Sequence, residues 1–117
     1  MFSACKILII EDSRDDFELY QRIIQKNFRS QIEYFSSAEN ALDHLTEESH
    51  FDVALIDYNL PGMNGIEFLK VLNDKKLKLQ CPVIALTGQG SEDTVLEFLK
   101  LGVEDYLQKN MDLYEFH

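Results

Sequence analysis

The stretch Val53-Ala54-Leu55-Ile56-Asp57-Tyr58-Asn59-Leu60-Pro61-Gly62-Met63-Asn64-Gly65 carries the reading of the fold. Its first four residues are apolar without alternation, as expected of a strand covered on both faces in a parallel sheet flanked by helices. The run ends on an acid, and the Asn, Pro and Gly that follow are loop-forming types that expose it.

Working outward, Cys5-Lys6-Ile7-Leu8-Ile9-Ile10 and Pro82-Val83-Ile84-Ala85-Leu86 are likewise continuous, whereas Ile32 to Phe35 alternates and predicts an edge strand. Val103 to Leu107 is a weaker fifth run. Between the runs lie segments with helical spacing. Leu19 and Tyr20 pair with Ile23 and Ile24, Ala38 with Ala41 or Leu42 and Leu45, Ile66 with Leu69 and Leu72, and Val95 with Leu96 and Leu99. Ser13-x-x-Asp16, Ser36-x-x-Glu39 and Ser91-Glu92-Asp93 read as helix starts, because a hydroxyl there accepts a first-turn N–H and acids suit the helix dipole. Gly102 reads as a helix stop. Strand and helix in alternation imply an open, doubly wound α/β sheet, since five strands cannot close a barrel of eight.

The chain has 117 residues, 45% of them apolar and 27% charged, which fits one domain with a single core. Eleven Lys and Arg against 21 Asp and Glu give a net charge of −10, a field that repels phosphate backbones and anionic lipids, so direct nucleic-acid or membrane binding is not expected. No apolar run approaches the roughly 20 residues needed to span a bilayer. Met1 to Ile10 lacks the basic start and long apolar centre of a signal peptide, so a cytoplasmic location is expected. Cys5 and Cys81 are too few for a disulfide scaffold and read as small core thiols. His44 and His50 have no partner at ligand spacing and read as solvated or capping residues.

In an open α/β sheet ligands sit beyond the carboxyl ends of the strands, so residues that follow each run share one rim. Those residues are Glu11 and Asp12, then Asp57, then Thr87 and Gly88, then Lys109. Three carboxylates brought together repel one another unless a divalent cation or Lys109 neutralises them. Magnesium is hard, takes oxygen ligands and keeps several waters, and Glu11, Asp12 and Asp57 offer such a set. A cation, an ammonium, a hydroxyl and a backbone N–H are also what phosphoryl transfer onto a carboxylate requires, with Asp57 as the nucleophile. Asp15 and Asp16 read as helix-start charges rather than ligands.

Ile9-Ile10-Glu11-Asp12, Asp57 to Gly65, Ala85-Leu86-Thr87-Gly88 and Asp105-Tyr106-Leu107-Gln108-Lys109 together resemble the receiver domain of bacterial two-component response regulators, of the chemotaxis-regulator kind. The resemblance covers Lys6 to Lys109. It implies a flavodoxin-like three-layer sandwich with a five-stranded parallel sheet of order 2-1-3-4-5. It further implies that Asp57 receives a phosphoryl group from a sensor histidine kinase or a phosphotransfer protein. Magnesium would be held by Glu11, Asp12, Asp57 and the backbone carbonyl of Asn59, and phosphoryl oxygens by Lys109, Thr87 and the Gly88 backbone. Thr87 and Tyr106 would form the switch that alters the surface of the fourth helix and fifth strand. The implied partners are that kinase and a downstream effector domain or protein, with a homodimer through the fourth helix left open. Such a chain is not an enzyme in the ordinary sense, since it promotes only its own phosphorylation and dephosphorylation.

Some positions depart from the pattern. Asn110 follows Lys109 where receivers commonly have a proline whose cis bond orients the lysine loop. Glu11 replaces the more usual Asp, which lengthens one ligand by a methylene. Met111 to His117 supply only the start of a fifth helix, so the chain is expected to be a single receiver cut from a longer signalling protein, and Glu115-Phe116-His117 reads as a cloning remnant. By the resemblance, Gln89 and Asn59 would lie beside an acyl phosphate on Asp57 and influence attack of water on it. The alternative function is a pseudo-receiver that keeps the fold for protein binding without being phosphorylated. A dehalogenase-type phosphatase is disfavoured because its Asp-x-Asp signature reads Asp57-x-Asn59 here, and a flavin mononucleotide binder because Glu11 to Asp16 would repel its phosphate.

Overall fold

The structure, a computed structural model, describes residues 4–77, 79–88 and 92–109. Elements alternate as β1 (Cys5–Ile10), α1 (Arg14–Asn27), β2 (Ser30–Phe35), α2 (Ala38–His44), β3 (Val53–Asp57), α3 (Gly65–Asp74), β4 (Val83–Thr87), α4 (Glu92–Lys100) and β5 (Asp105–Gln108). The five strands form one sheet in the order β2-β1-β3-β4-β5, and every pairing is parallel. The alternating strand β2 is at an edge, and the continuous runs β1, β3 and β4 are internal.

The continuous runs follow from two covered faces, because successive residues of a strand point to opposite sides. Leu8 and Ile10 of β1, Ala54 and Ile56 of β3 and Val83 and Ala85 of β4 pack against Ala38 and Ala41 of α2, Ile66, Phe68 and Leu72 of α3 and Phe98 of α4. Ile7 and Ile9, one residue out of step, join Leu86 on the other face with Phe17, Tyr20 and Ile24 of α1. The sheet is therefore a layer between helices.

Helix starts are set by side-chain caps. Ser13 accepts from the Asp16 N–H, as its spacing predicts. At α2 the cap is Ser37 rather than Ser36, with its hydroxyl accepting from Asn40, and Glu39 is released to reach another loop. Asn64 and Glu67 form a reciprocal capping box at the start of α3. Gly102 stops the chain after α4 at φ 87°, a left-handed conformation that favours glycine.

The apolar stripe of α4 differs from its sequence reading. Leu96 and Leu99 are 53% and 49% exposed, and the side chain that enters the core is Phe98, 1% exposed, with its ring edge-on to Tyr58. Spacing alone fits either set, and the larger ring fills the space beside β3 and β4. Cys5 and Cys81 are free and half-buried, each packed against one face of the core. His44 caps its own helix, its ring Nδ1 meeting the Asn40 carbonyl oxygen at 2.8 Å. The Lys109–Asn110 bond, Gln89, the Ser91 cap and Met111 to His117 with the truncated fifth helix lie outside the described residues. No helix of the described residues is long and apolar enough to cross a membrane.

Candidate functional site

Parallel register brings the strand ends to one rim. Ile10 pairs with Ile56, Asp57 with Leu86, and Thr87 with Gln108, so Glu11, Asp57, Thr87 and Lys109 leave adjacent strands at nearly one level. Three of them are the only buried polar or charged side chains among the described residues: Glu11 at 0% exposure, Asp57 at 1% and Thr87 at 0%. Buried polar groups of this kind are costly unless partnered.

Lys109 partners the acids. Its Nζ lies 2.7 Å from Glu11 Oε1, 2.8 Å from Asp57 Oδ2 and 3.3 Å from Asp16 Oδ2. The other oxygen of Asp57 accepts the Asn59 backbone N–H at 3.0 Å. The loop after Asp57 is held firmly. Tyr58 N–H donates to the Leu86 carbonyl, Gly65 N–H donates to the Tyr58 carbonyl, and the Met63 N–H donates to Glu39 Oε2. Gly65 admits no side chain, since a Cβ there would stand 2.5 Å from the Asp57 carbonyl oxygen. Gly62 turns at φ 73° beneath the Glu39 carboxylate.

Glu11 is the most enclosed acid. Its backbone N–H donates to the Phe35 carbonyl, its carbonyl accepts the Tyr34 hydroxyl at 2.6 Å, Oε1 accepts the Tyr20 hydroxyl at 2.7 Å, and Oε2 accepts the Ser13 N–H at 3.2 Å. Burial, reinforced by the neighbouring Asp57, pushes its carboxyl up to about 8 despite hydrogen bonds from Lys109 and Tyr20. Burial works against the Lys109 charge, but hydrogen bonds to Asp57 and Glu11 outweigh it and hold the ammonium above the ordinary lysine value. Burial is thus the main influence on Glu11, whereas the charged and hydrogen-bonding acids around it decide the direction for Lys109. Burial and the charge of Glu11 also raise the Tyr20 phenol, so its hydroxyl remains a donor.

Asp12, exposed, completes a carboxylate set: Glu11, Asp12 and Asp57 each offer an oxygen, all within 4.8 Å of one another. Hard oxygen donors at a rim with excess negative charge suit magnesium, and the residues fit that ion. At the end of the adjacent strand β4, the buried Thr87 hydroxyl has no hydrogen-bond partner among the described residues. The Asn59 side-chain amide lies beside Gly88, 3.8 Å from where a Cβ on that glycine would be. Tyr106 stands on β5 at 38% exposure, facing outward. The rim thus offers a buried carboxylate, a cation, an oxygen set that could hold a metal, and a spare hydroxyl.

The structure brings Glu11, Asp12, Asp57 and Lys109 together and puts Thr87 and Gly88 at the end of the neighbouring strand β4. Asp16 joins the acids, although its position at a helix start gave no sign that it would meet Lys109, 93 residues away. Tyr20 and Tyr34 were legible only as parts of an apolar stripe and an edge strand; their hydroxyls, which find Glu11, were the available signal. Glu39, read as a helix-start acid, instead supports the loop beyond Asp57.

The profile of the response regulator receiver domain matches residues 7–117. The chain is 34% identical over 110 residues to the chemotaxis protein CheY-3 of Vibrio cholerae, covering 89% of this chain and 79% of that protein. It is 32% identical over 108 residues to the phosphate regulon transcriptional regulatory protein PhoB of Escherichia coli, covering 91% of this chain and 45% of PhoB. Over 112 residues it is also 32% identical to the autoinducer 2 sensor kinase/phosphatase LuxQ of Vibrio vulnificus, 96% of this chain and 13% of LuxQ. The chain thus spans less than half the length of PhoB and a small part of LuxQ. Among solved structures, the phosphorylated cyanobacterial phytochrome response regulator RcpA superposes with a TM-score of 0.82 at 26% identity, over 97% of this chain and 86% of that one. A CheY-like receiver domain protein of Methanospirillum hungatei superposes at 0.81 and 26%, over 97% and 88%. Fold, rim and relatives agree, and the chain belongs to the response regulator receiver domain family.

Proposed function

We propose that this receiver is a phosphorylation-controlled switch in which Asp57 accepts a phosphoryl group from the phosphohistidine of a sensor histidine kinase or phosphotransfer protein. The observation that carries the reading is the Asp57 carboxylate itself, buried at the sheet rim with Lys109 at 2.8 Å, two further acids beside it and a spare Thr87 hydroxyl nearby. An unreactive structural aspartate would not need that company.

In the transfer, an Asp57 carboxylate oxygen forms the new O–P bond while the N–P bond of phosphohistidine breaks. The bonding pair stays on the imidazole nitrogen, which takes a proton from solvent. Lys109 neutralises the incoming oxygens, and the Thr87 hydroxyl and the Gly88 N–H donate to them. Glu11, Asp12, Asp57 and the Asn59 carbonyl would hold magnesium, and the bound ion supplies neutralisation of charge on the transferring group. The strand and loop hydrogen bonds around Tyr58 keep Asp57 in place throughout.

Output follows from Thr87. Drawing its hydroxyl toward the phosphoryl group vacates space beside β4, which Tyr106, now outward, would fill. This changes a face that already exposes Leu96 and Leu99. An effector domain or protein in the cytoplasm reads that face. The chain turns over no substrate besides its own phosphoryl group.

Incubation with magnesium and acetyl phosphate, followed by intact-mass measurement, tests the reading. One added phosphoryl group in the wild type, absent without magnesium and absent in Asp57→Asn, is expected. An unmodified wild type that also fails to bind magnesium would make the chain a protein-interaction module instead.

A further inference from the structure

We propose that Tyr20 is a positioning residue of the phosphoacceptor centre, acting on Lys109 through Glu11. The inference rests on the function proposed above and deepens it. A continuous hydrogen-bonded chain runs from the Tyr20 hydroxyl to Glu11 Oε1 at 2.7 Å, from Oε1 to Lys109 Nζ at 2.7 Å, and from Nζ to Asp57 Oδ2 at 2.8 Å. Each member is held at a definite atom, and Tyr20 is the one member anchored in a helix core rather than at the rim, 2% exposed among Ile7, Ile9 and Ile24.

Glutamate makes such an anchor necessary. Its side chain has one more rotatable bond than aspartate, and a carboxylate free to rotate would carry Lys109 with it. Oε1 is fixed here by two donors at once, and Oε2 by the Ser13 N–H at 3.2 Å. Helix α1 clasps Glu11 a second time through Phe17, whose ring stacks at 3.8 Å on Tyr34, the donor to the Glu11 carbonyl. The longer acid and the tyrosine nine residues on are thus two parts of one device. Tyrosine supplies a rigid ring with a polar tip at its end, suited to delivering a hydroxyl from a packed helix to a buried carboxylate.

Partners that orient a ligand without touching the reacting atoms commonly change metal affinity or activity about 10–100-fold when removed. Lys109 and Ser13 remain in Tyr20→Phe, so the lower end is expected: magnesium affinity by calorimetry and the rate of phosphoryl uptake from acetyl phosphate should each fall about tenfold. The midpoint of thermal unfolding should fall by only a few degrees, since one hydrogen bond to a buried carboxylate is lost while the packed ring is retained. The discriminating measurement repeats Tyr20→Phe in a Glu11→Asp background, where the carboxylate is withdrawn from the hydroxyl. There the added loss should vanish. An equal loss in both backgrounds would make Tyr20 a packing residue and overturn the inference. No loss with Glu11 present, while Asp57→Asn still abolishes uptake, would overturn it and leave the proposed function standing. Failure of the unaltered protein to take up a phosphoryl group at all would overturn that function, and the inference with it.

Discussion

Ile10 and Glu11 are adjacent and equally buried, as are Ile56 and Asp57, yet one member of each pair belongs to the interior of the sheet and the other to its carboxyl rim. In the interior, burial is repaid locally: apolar side chains leave water and pack against one another. At the rim, burial sets Glu11, Asp16 and Asp57 around one ammonium, and the Thr87 hydroxyl is left without a partner among the described residues. Nothing in folding alone favours that arrangement. The interior holds the molecule together, and the rim is a charge imbalance that the interior is stable enough to carry. Departures from local consistency in a protein are expected where it acts.

The comparison breaks if the two regions respond alike to substitution. Phe68→Ala removes a fully buried ring of the interior and should cost about 4 kcal/mol by chemical denaturation, with or without magnesium. A loss that magnesium repairs would place the core and the rim in one unit. Lys109→Ala strips the rim of its cation and should cost about 3 kcal/mol, because acids are left buried and unpaired. Here added magnesium should return part of the loss, since a ligand bound only to the folded state stabilises it. An unrepaired loss would argue that Lys109 serves packing.

Asp57→Asn should move stability the other way. It removes one of the acids crowding Lys109 while leaving the loop and the amide-sized volume in place, so the protein should gain about 1 kcal/mol, or roughly 4 °C in melting midpoint. A lower midpoint would show that the Asp57–Lys109 pair is a net stabiliser and that the rim is no burden. Thr87→Val has the smallest expected effect. Exchanging a hydroxyl that lacks a partner for a methyl group of similar shape should leave stability within about 0.5 kcal/mol, since no hydrogen bond is broken. The change at Tyr106 that we propose follows phosphorylation, monitored by amide and ring resonances, should nevertheless weaken. A large loss of stability would reveal a partner for the hydroxyl and remove Thr87 from the spare donors of the rim.

Much of this was legible in the linear chain, for identifiable reasons. Continuous apolar runs declare strands covered on both faces, and an alternating run declares an edge, because side-chain direction alternates along a strand whatever the rest of the fold does. Glu11, Asp12, Asp57, Thr87 and Lys109 were legible as a group because each ends a run in a parallel sheet, and parallel strands place their ends together. The stripe of α4 was less so. Leu96, Leu99 and Phe98 all satisfy helical spacing, and only the space beside Tyr58 selects the ring. The one-residue change of cap from Ser36 to Ser37 is of the same kind, since two adjacent hydroxyls are equivalent until the helix axis is fixed.

By itself, the sequence determined the strand and helix alternation, the parallel sheet and the chemical composition of its rim, since these depend on local periodicity and on which residue ends each run. Only the tertiary structure decided who holds whom: Asp16 on Lys109, Tyr20 and Tyr34 on Glu11, Glu39 on the loop after Asp57. Those contacts join residues up to 93 positions apart, and a hydrogen bond requires atoms to meet within about 3 Å along a definite direction. Periodicity assigns a side chain to a face; distance and angle, set by packing every element at once, assign it a partner.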